Sequence, residues 1–185
     1  MIQGRGPYNR QPNKGRHMKI ILLMAATADG LIARDSSQLV DWTGKADKKY
    51  FVHITKQAGV MIMGSKTWDT IGKVLPGRKN IVMTRDKSRK SQDENLVFTD
   101  QSPDRIIHDL EKQGYESAAL IGGAMINSVF MEAGLIDEIH LTVVPRVFGQ
   151  GLTLFASGLD HQLELMDMVR IEGGHVLLKY RVMKD

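Results

Sequence analysis

The 185-residue chain contains no cysteine, which excludes disulfides, thiolate metal sites and cysteine nucleophiles. No apolar run is long enough to span a bilayer, and nothing resembles a secretory signal peptide. Acidic residues are missing from residues 1–17, which carry Arg5, Arg10, Lys14 and Arg16. That stretch accounts for the whole formal charge of +4, and the rest of the chain balances basic against acidic residues. The high pI is therefore a property of a tail rather than of a basic binding face. The tail is rich in Gly, Pro, Asn and Gln and is expected to be disordered, whether native or left over from expression, with Met18 as a natural start. Aromatic residues are only 6% of the chain, and no basic stripe is interleaved with them. A nucleic-acid partner is thus not expected. What is present, 42% hydrophobic and 25% charged residues, suits one globular domain over residues 18–185, with the cytoplasm as the expected compartment.

From Met18 onward, short apolar runs alternate with helix-like segments. Residues 19–26, 60–63, 80–84, 96–98, 118–121 and 138–144 read as strands, the first two apolar enough to be covered on both faces. Residues 44–57, 65–71 and 102–113 read as helices, and Gly122-Gly123 opens another that runs to residue 133. In the third, Ser102 is placed to cap, Pro103 to sit in the first turn, and Ile106, Ile107 and Leu110 to form the apolar stripe. Residues 163–171 and 175–182 pair as a hairpin at Gly173-Gly174. This alternation predicts an α/β domain in three layers: a mostly parallel sheet of about eight strands, helices on both faces and an antiparallel C-terminal hairpin. Ligands of such sheets bind beyond the carboxyl ends of the strands.

Two strand-to-helix turns suit phosphate. In Gly64-Ser65-Lys66-Thr67, free helix-start amides, a hydroxyl and a lysine adjoin a glycine that admits close approach. In Gly122-Gly123-Ala124-Met125, two adjacent residues lack a β-carbon. Each is on spacing alone equally well read as ordinary tight packing, and neither is a G-x-G-x-x-G fingerprint. Thr84 ends the third strand and Arg85 sits just past it, where it either meets a ribose phosphate or is simply solvated. No metal is expected: His53, His108, His140, His161 and His175 are scattered, without an H-x-x-x-H pair. A serine hydrolase lacks its G-x-S-x-G elbow.

Residues 63–85, M-G-S-K-T-W-D-T-I-G-K-V-L-P-G-R-K-N-I-V-M-T-R, resemble the central signature of dihydrofolate reductase. The I-G-G at 121–123 is similar to that family's second cofactor turn, and M-A-A-T-A-D-G-L-I-A at 24–33 to its first strand and mobile loop. Within the same fold, T-A-D-G-L-I-A and the stretch L-I-D-E-I-H-L-T-V-V-P-R-V-F-G-Q-G-L-T-L-F resemble instead the reductase domain of riboflavin biosynthesis, which acts on a ribosylamino-pyrimidine.

The resemblance to dihydrofolate reductase implies NADPH as cofactor, hydride transfer to pterin C6, and a carboxylate early in the first helix that grips the pterin. Asp47 matches that acid, with Phe51 four residues on along the same helical face; without the resemblance, a solvated helix-start aspartate is the simpler reading. Thr142 matches the strand threonine that bonds the acid, and Arg78 the arginine that holds the glutamate tail of folate. By the same resemblance Ala25, Asp47, Phe51, Ile71, Leu75, Arg78 and Ile121 line the substrate site. Ala25, Ile32, Gly64, Ser65, Lys66, Thr67, Thr84, Arg85, Gly122, Gly123, Ala124 and Met125 line the cofactor site. The loop over residues 32–42 is the candidate lid. Departures from the pattern are Asn127 in place of a tyrosine near the nicotinamide, Ser65 in place of an arginine, and Lys48 in place of an apolar residue. A tail-binding arginine serves folate and not a pyrimidine, so dihydrofolate is the expected substrate, for a monomer or homodimer.

Overall fold

The central apolar runs become strands because each can bury both of its faces. A computed structural model describes residues 18–156 and 158–184, so the basic tail and its expected disorder lie outside the described residues. In chain order the elements are β1 (Lys19–Thr27), β2 (Leu31–Ala33), α1 (Gly44–Ala58), β3 (Val60–Gly64), α2 (Ser65–Ile71), β4 (Lys79–Met83) and β5 (Leu96–Thr99). Then follow α3 (Pro103–Lys112), β6 (Ser117–Leu120), α4 (Ala124–Glu132), β7 (Glu138–Val144), β8 (Leu152–Thr153), β9 (Leu163–Ile171) and β10 (His175–Val182).

Eight strands form one sheet in the order β5-β4-β3-β6-β1-β7-β10-β9. All neighbours are parallel up to β7, and β10 runs antiparallel to both β7 and β9. The period-2 alternation of strand side chains divides the core into two layers. Ile20 and Leu22 of β1, Val60 and Ile62 of β3 and Ile81 of β4 pack with Ile106, Ile107 and Leu110 of α3 and Phe130 of α4. Leu23, Met61, Met63, Val82 and Ala119 turn the other way, against Tyr50, Phe51, Ile54 and Ala58 of α1 and Trp68 and Ile71 of α2. Each large side chain so enclosed contributes roughly 1.5–3 kcal/mol.

Local chemistry sets the helix ends. Ser102 Oγ accepts from the Arg105 amide at the start of α3, with Pro103 next to it, as its sequence predicts. Gly59 takes a left-handed conformation to close α1. Two strands escaped the sequence reading. β2 and β8 pair antiparallel as a ribbon outside the main sheet, so the first residues of the expected lid, Ile32 included, are strand rather than loop.

Candidate active site

The strand order reverses around β6, which lies between β3 and β1 although it follows both in sequence. That switch point brings the carboxyl ends of β1, β3 and β6 side by side, and both glycine turns stand there. The turns interlock: the Gly64 amide donates to Gly122 O at 2.8 Å. A β-carbon at Gly64 would lie 2.9 Å from Ile126 Cγ1, so only glycine lets β3 and α4 meet. Gly122 has φ +91° and is joined to Gly123 by a cis peptide. A β-carbon there would press on Met24 at 3.1 Å. Thr67 reaches the second turn, its Oγ1 3.6 Å from where a Gly123 β-carbon would be.

Gly123 precedes α4 without a side-chain cap, and the first turn of that helix holds no acid. The leading amides of α4 are thus free for an anion, with the helix dipole behind them. Of the residues expected at the cofactor, Gly64 and Gly122 are buried, Ser65, Thr67, Thr84, Gly123 and Ala124 are half-buried, and Met125 is 64% exposed. Lys66 and Arg85 are exposed cations, and Arg85 has no ion-pair partner among the described residues. Ile32 is buried within β2. Two glycine turns, uncapped amides and two cations outside any ion pair among the described residues fit a dinucleotide phosphate chemically. Across from α2, the Lys66 ammonium comes within 3.5 Å of Ser36 Oγ. There the loop after β2 borders an open cleft of about 320 Å3, lined by Ser36, Ser37, Leu39, Lys66, Asp69 and Thr70.

The second half of the site is built by α1 lying over β7. The Tyr50 hydroxyl meets His140 Nδ1 at 2.8 Å. Two turns nearer the start of α1, a β-carbon at Gly44 would stand 3.4 Å from the His175 imidazole. Since Val176 pairs with Val143, His175 falls at the level of Val144. The six residues from Gly44 to Tyr50 rise ~9 Å as helix, and the four from His140 to Val144 span ~13 Å as strand. Asp47 is midway along the first segment and Thr142 midway along the second, which puts the two at similar levels along α1 and β7. Ala25 is the cross-strand neighbour of Thr142.

Asp47 is half-buried and has no hydrogen-bond or ion-pair partner among the described residues. Thr142 is 0% exposed, and its Oγ1 is buried without a partner, so the bond to Asp47 that the family resemblance implies is not made. Phe51, Ile71, Leu75 and Ile121 belong to one apolar layer beside them. Arg78 sits behind that layer, 6% exposed. Its Nη1 donates to Thr55 Oγ1 and its Nε to Pro76 O, while the Thr55 hydroxyl donates to Phe51 O. Burial holds the guanidinium below its ordinary pKa, and no carboxylate is within ion-pair distance of it among the described residues.

Several contributors carry no mark in the sequence, and Asn127 stands out there only as a departure from the family pattern. Tyr50 and His140 look like ordinary core residues there. Asn127 and Ser128 of α4 together hold the chain after β8: Asn127 Nδ2 donates to Leu154 O at 2.8 Å, and the Ala156 amide donates to Ser128 Oγ at 2.8 Å. Trp42 stacks edge-on with Phe148 at 5.0 Å, and Arg34 lies over the same ring at 4.0 Å, closing the outer side of the β2 loop.

Comparison with known proteins agrees with this architecture. The chain is 32% identical over 142 residues to dihydrofolate reductase of Lactococcus lactis, covering 76% of this chain and 80% of that one. A putative riboflavin biosynthesis protein from Shewanella superposes with a TM-score of 0.78 at 22% identity, over 90% of this chain and all of the other. RibD of Acinetobacter baumannii gives 0.80 at 18% identity, over 92% of this chain and 59% of its own longer one. At those identities the two structures attest the fold. The family model for dihydrofolate reductase spans residues 19–169, from the first strand of the sheet into the edge hairpin, and the chain belongs to that family of reductases.

Proposed function

We propose that the protein is an NADPH-dependent oxidoreductase that reduces 7,8-dihydrofolate to 5,6,7,8-tetrahydrofolate. The observation that carries this reading is a pair of unpartnered polar groups, the half-buried Asp47 carboxylate on α1 and the buried Thr142 hydroxyl on β7, with an apolar layer packed between helix and sheet. A flat heterocycle with an N–H-rich edge satisfies both at once, while Phe51, Ile71, Leu75 and Ile121 take its faces and the attached benzoyl group.

NADPH, when bound, supplies the hydride. Gly64, Ser65, Lys66, Thr67, Thr84, Arg85, Gly123, Ala124 and Met125 would hold its phosphate and adenosine portions. Ala25, Ile32 and Gly122 would border its nicotinamide. Asp47 orients the substrate by accepting two N–H bonds and polarises the ring for protonation at N5. Arg78 is fixed by Thr55 and Pro76 through Nη1 and Nε, which leaves Nη2 as the nitrogen that would meet the glutamate carboxylate. The apolar layer excludes water and keeps the two rings within reach of each other.

A second reading, reduction of a ribosylamino-pyrimidine, is favoured by the internal commitment of two Arg78 nitrogens and by Asn127 at the second turn. NADPH oxidation measured with each substrate in parallel separates the two. Turnover of dihydrofolate, lowered about a hundredfold in Asp47→Asn with NADPH affinity kept, supports the first reading. Turnover of the pyrimidine alone overturns it.

A further inference from the structure

Beneath the proposed substrate site runs a chain of polar groups that the reaction does not use. Lys19 Nζ of β1 pairs with Glu138 Oε1 of β7 at 2.6 Å. Glu138 Oε2 meets His140 Nε2 at 3.1 Å, and His140 Nδ1 meets the Tyr50 hydroxyl of α1 at 2.8 Å. His140 is 6% exposed, so its ring nitrogens depend on these two partners. A carboxylate only accepts, so Nε2 carries the proton in the neutral ring and donates to Glu138. Nδ1 is then the acceptor for the Tyr50 O–H. Donors and acceptors match along the whole chain, which anchors α1 to two central strands at one defined depth and rotation. On either side of this anchor the two elements carry the site: Asp47 is three residues before Tyr50, and Thr142 two residues after His140, on the same faces.

We propose that Tyr50 and His140 are positioning residues for Asp47: their hydrogen bond, tied down by Glu138 and Lys19, sets the level at which the Asp47 carboxylate stands relative to Thr142. For catalysis the proposal rests on Asp47 being the substrate carboxylate. A bond at this end of α1 has leverage because Phe51, Ile54 and Ala58 meet the sheet only through non-directional contacts, and the other directional ties, Arg78 to Thr55 and the Lys79 amide to Gly59 O, hold the far end of the helix.

The test removes one oxygen. Tyr50→Phe keeps the ring and deletes the bond; Tyr115→Phe, at the far end of α1 beside Gly59, is the control. Tyr50→Phe is expected to raise the KM for dihydrofolate about five- to tenfold with the Kd for NADPH unchanged, and to shift the carbon resonance of the Asp47 carboxyl in the folded protein. His140→Gln should do the same, and combining it with Tyr50→Phe should add little, as for two halves of one bond. Tyr115→Phe should change none of these. A folded Tyr50→Phe variant with unmoved KM and unmoved Asp47 resonance overturns the proposal. If the resonance moves while Asp47→Asn leaves dihydrofolate reduction intact, the positioning stands and the assignment of Asp47 to the substrate fails instead.

Discussion

At the scale of single residues, the buried titrating groups make stability depend on pH. Desolvation holds the His140 pKa below its usual 6.5, against the opposing pull of Glu138, so folding favours the neutral ring. The unfolded chain takes up this proton at a higher pH than the folded one. Stability is therefore full above the unfolded value and falls as pH drops through 6.5 toward the folded pKa. Burial raises the Glu138 pKa, but Lys19 and His140 outweigh it and leave it lowered, which adds a further loss in the same direction at lower pH. Burial, with the nearby Glu138 carboxylate, pushes the Tyr50 hydroxyl up to about 12, so it stays a donor throughout. Urea unfolding of the wild type is expected to show declining stability below pH 6.5, and His140→Gln a flatter profile there. A wild-type curve as flat as the variant's would remove His140 from the pH response. Little of this was legible in the sequence. Asp47, Phe51 and Arg78 stand out because their spacing matches a known pattern. Tyr50, His140 and Thr55 carry no local mark, since their roles arise only where α1 crosses the sheet.

At the scale of elements, long segments declared themselves and short ones did not. The nine residues of β9 and the eight of β10 are bounded by a Gly-Gly turn and could be read directly. β2 and β8, with three and two residues, are too short for any periodicity to register. Just after β8, Leu154 O and the Ala156 amide bond to Asn127 and Ser128 of α4. This clamp ties the helix that starts at the second glycine turn to the segment after β8, whose strand pairs with the one that bears Ile32. Each bond is worth about 0.5–1.5 kcal/mol. Replacing both side chains, Asn127→Ala with Ser128→Ala, should therefore speed amide exchange in residues 31–33 and 152–156 by roughly ten- to a hundredfold. The amides of α3, which shares an apolar layer with α4 but bonds to neither clamped segment, should exchange as before. Equal acceleration in α3 would mean global destabilisation rather than a local clamp.

At the scale of the molecule, alternating strands and helices announced a mostly parallel sheet, but not the insertion of β6 between β3 and β1. That insertion is a choice among long-range pairings, which no local pattern encodes, yet it is what joins the two glycine turns into one cradle. The cradle offers uncapped amides at the start of α4, with Lys66 in α2 and Arg85 after β4 as cations, so a dinucleotide phosphate that bound there would tie β3, β6, α2 and α4 together and favour the folded state alone. At a concentration one hundredfold above its Kd, such a ligand adds about 2.7 kcal/mol. For a domain of this size that is a rise in Tm of roughly 5–10 °C. If Arg85 meets a ribose phosphate, NADPH should raise Tm more than NADH at equal concentration, and Arg85→Ala should bring the two shifts together while leaving the NADH shift unchanged. Equal shifts in the unaltered protein would take Arg85 out of cofactor selection, and no shift with either nucleotide would take the cradle itself out of cofactor binding.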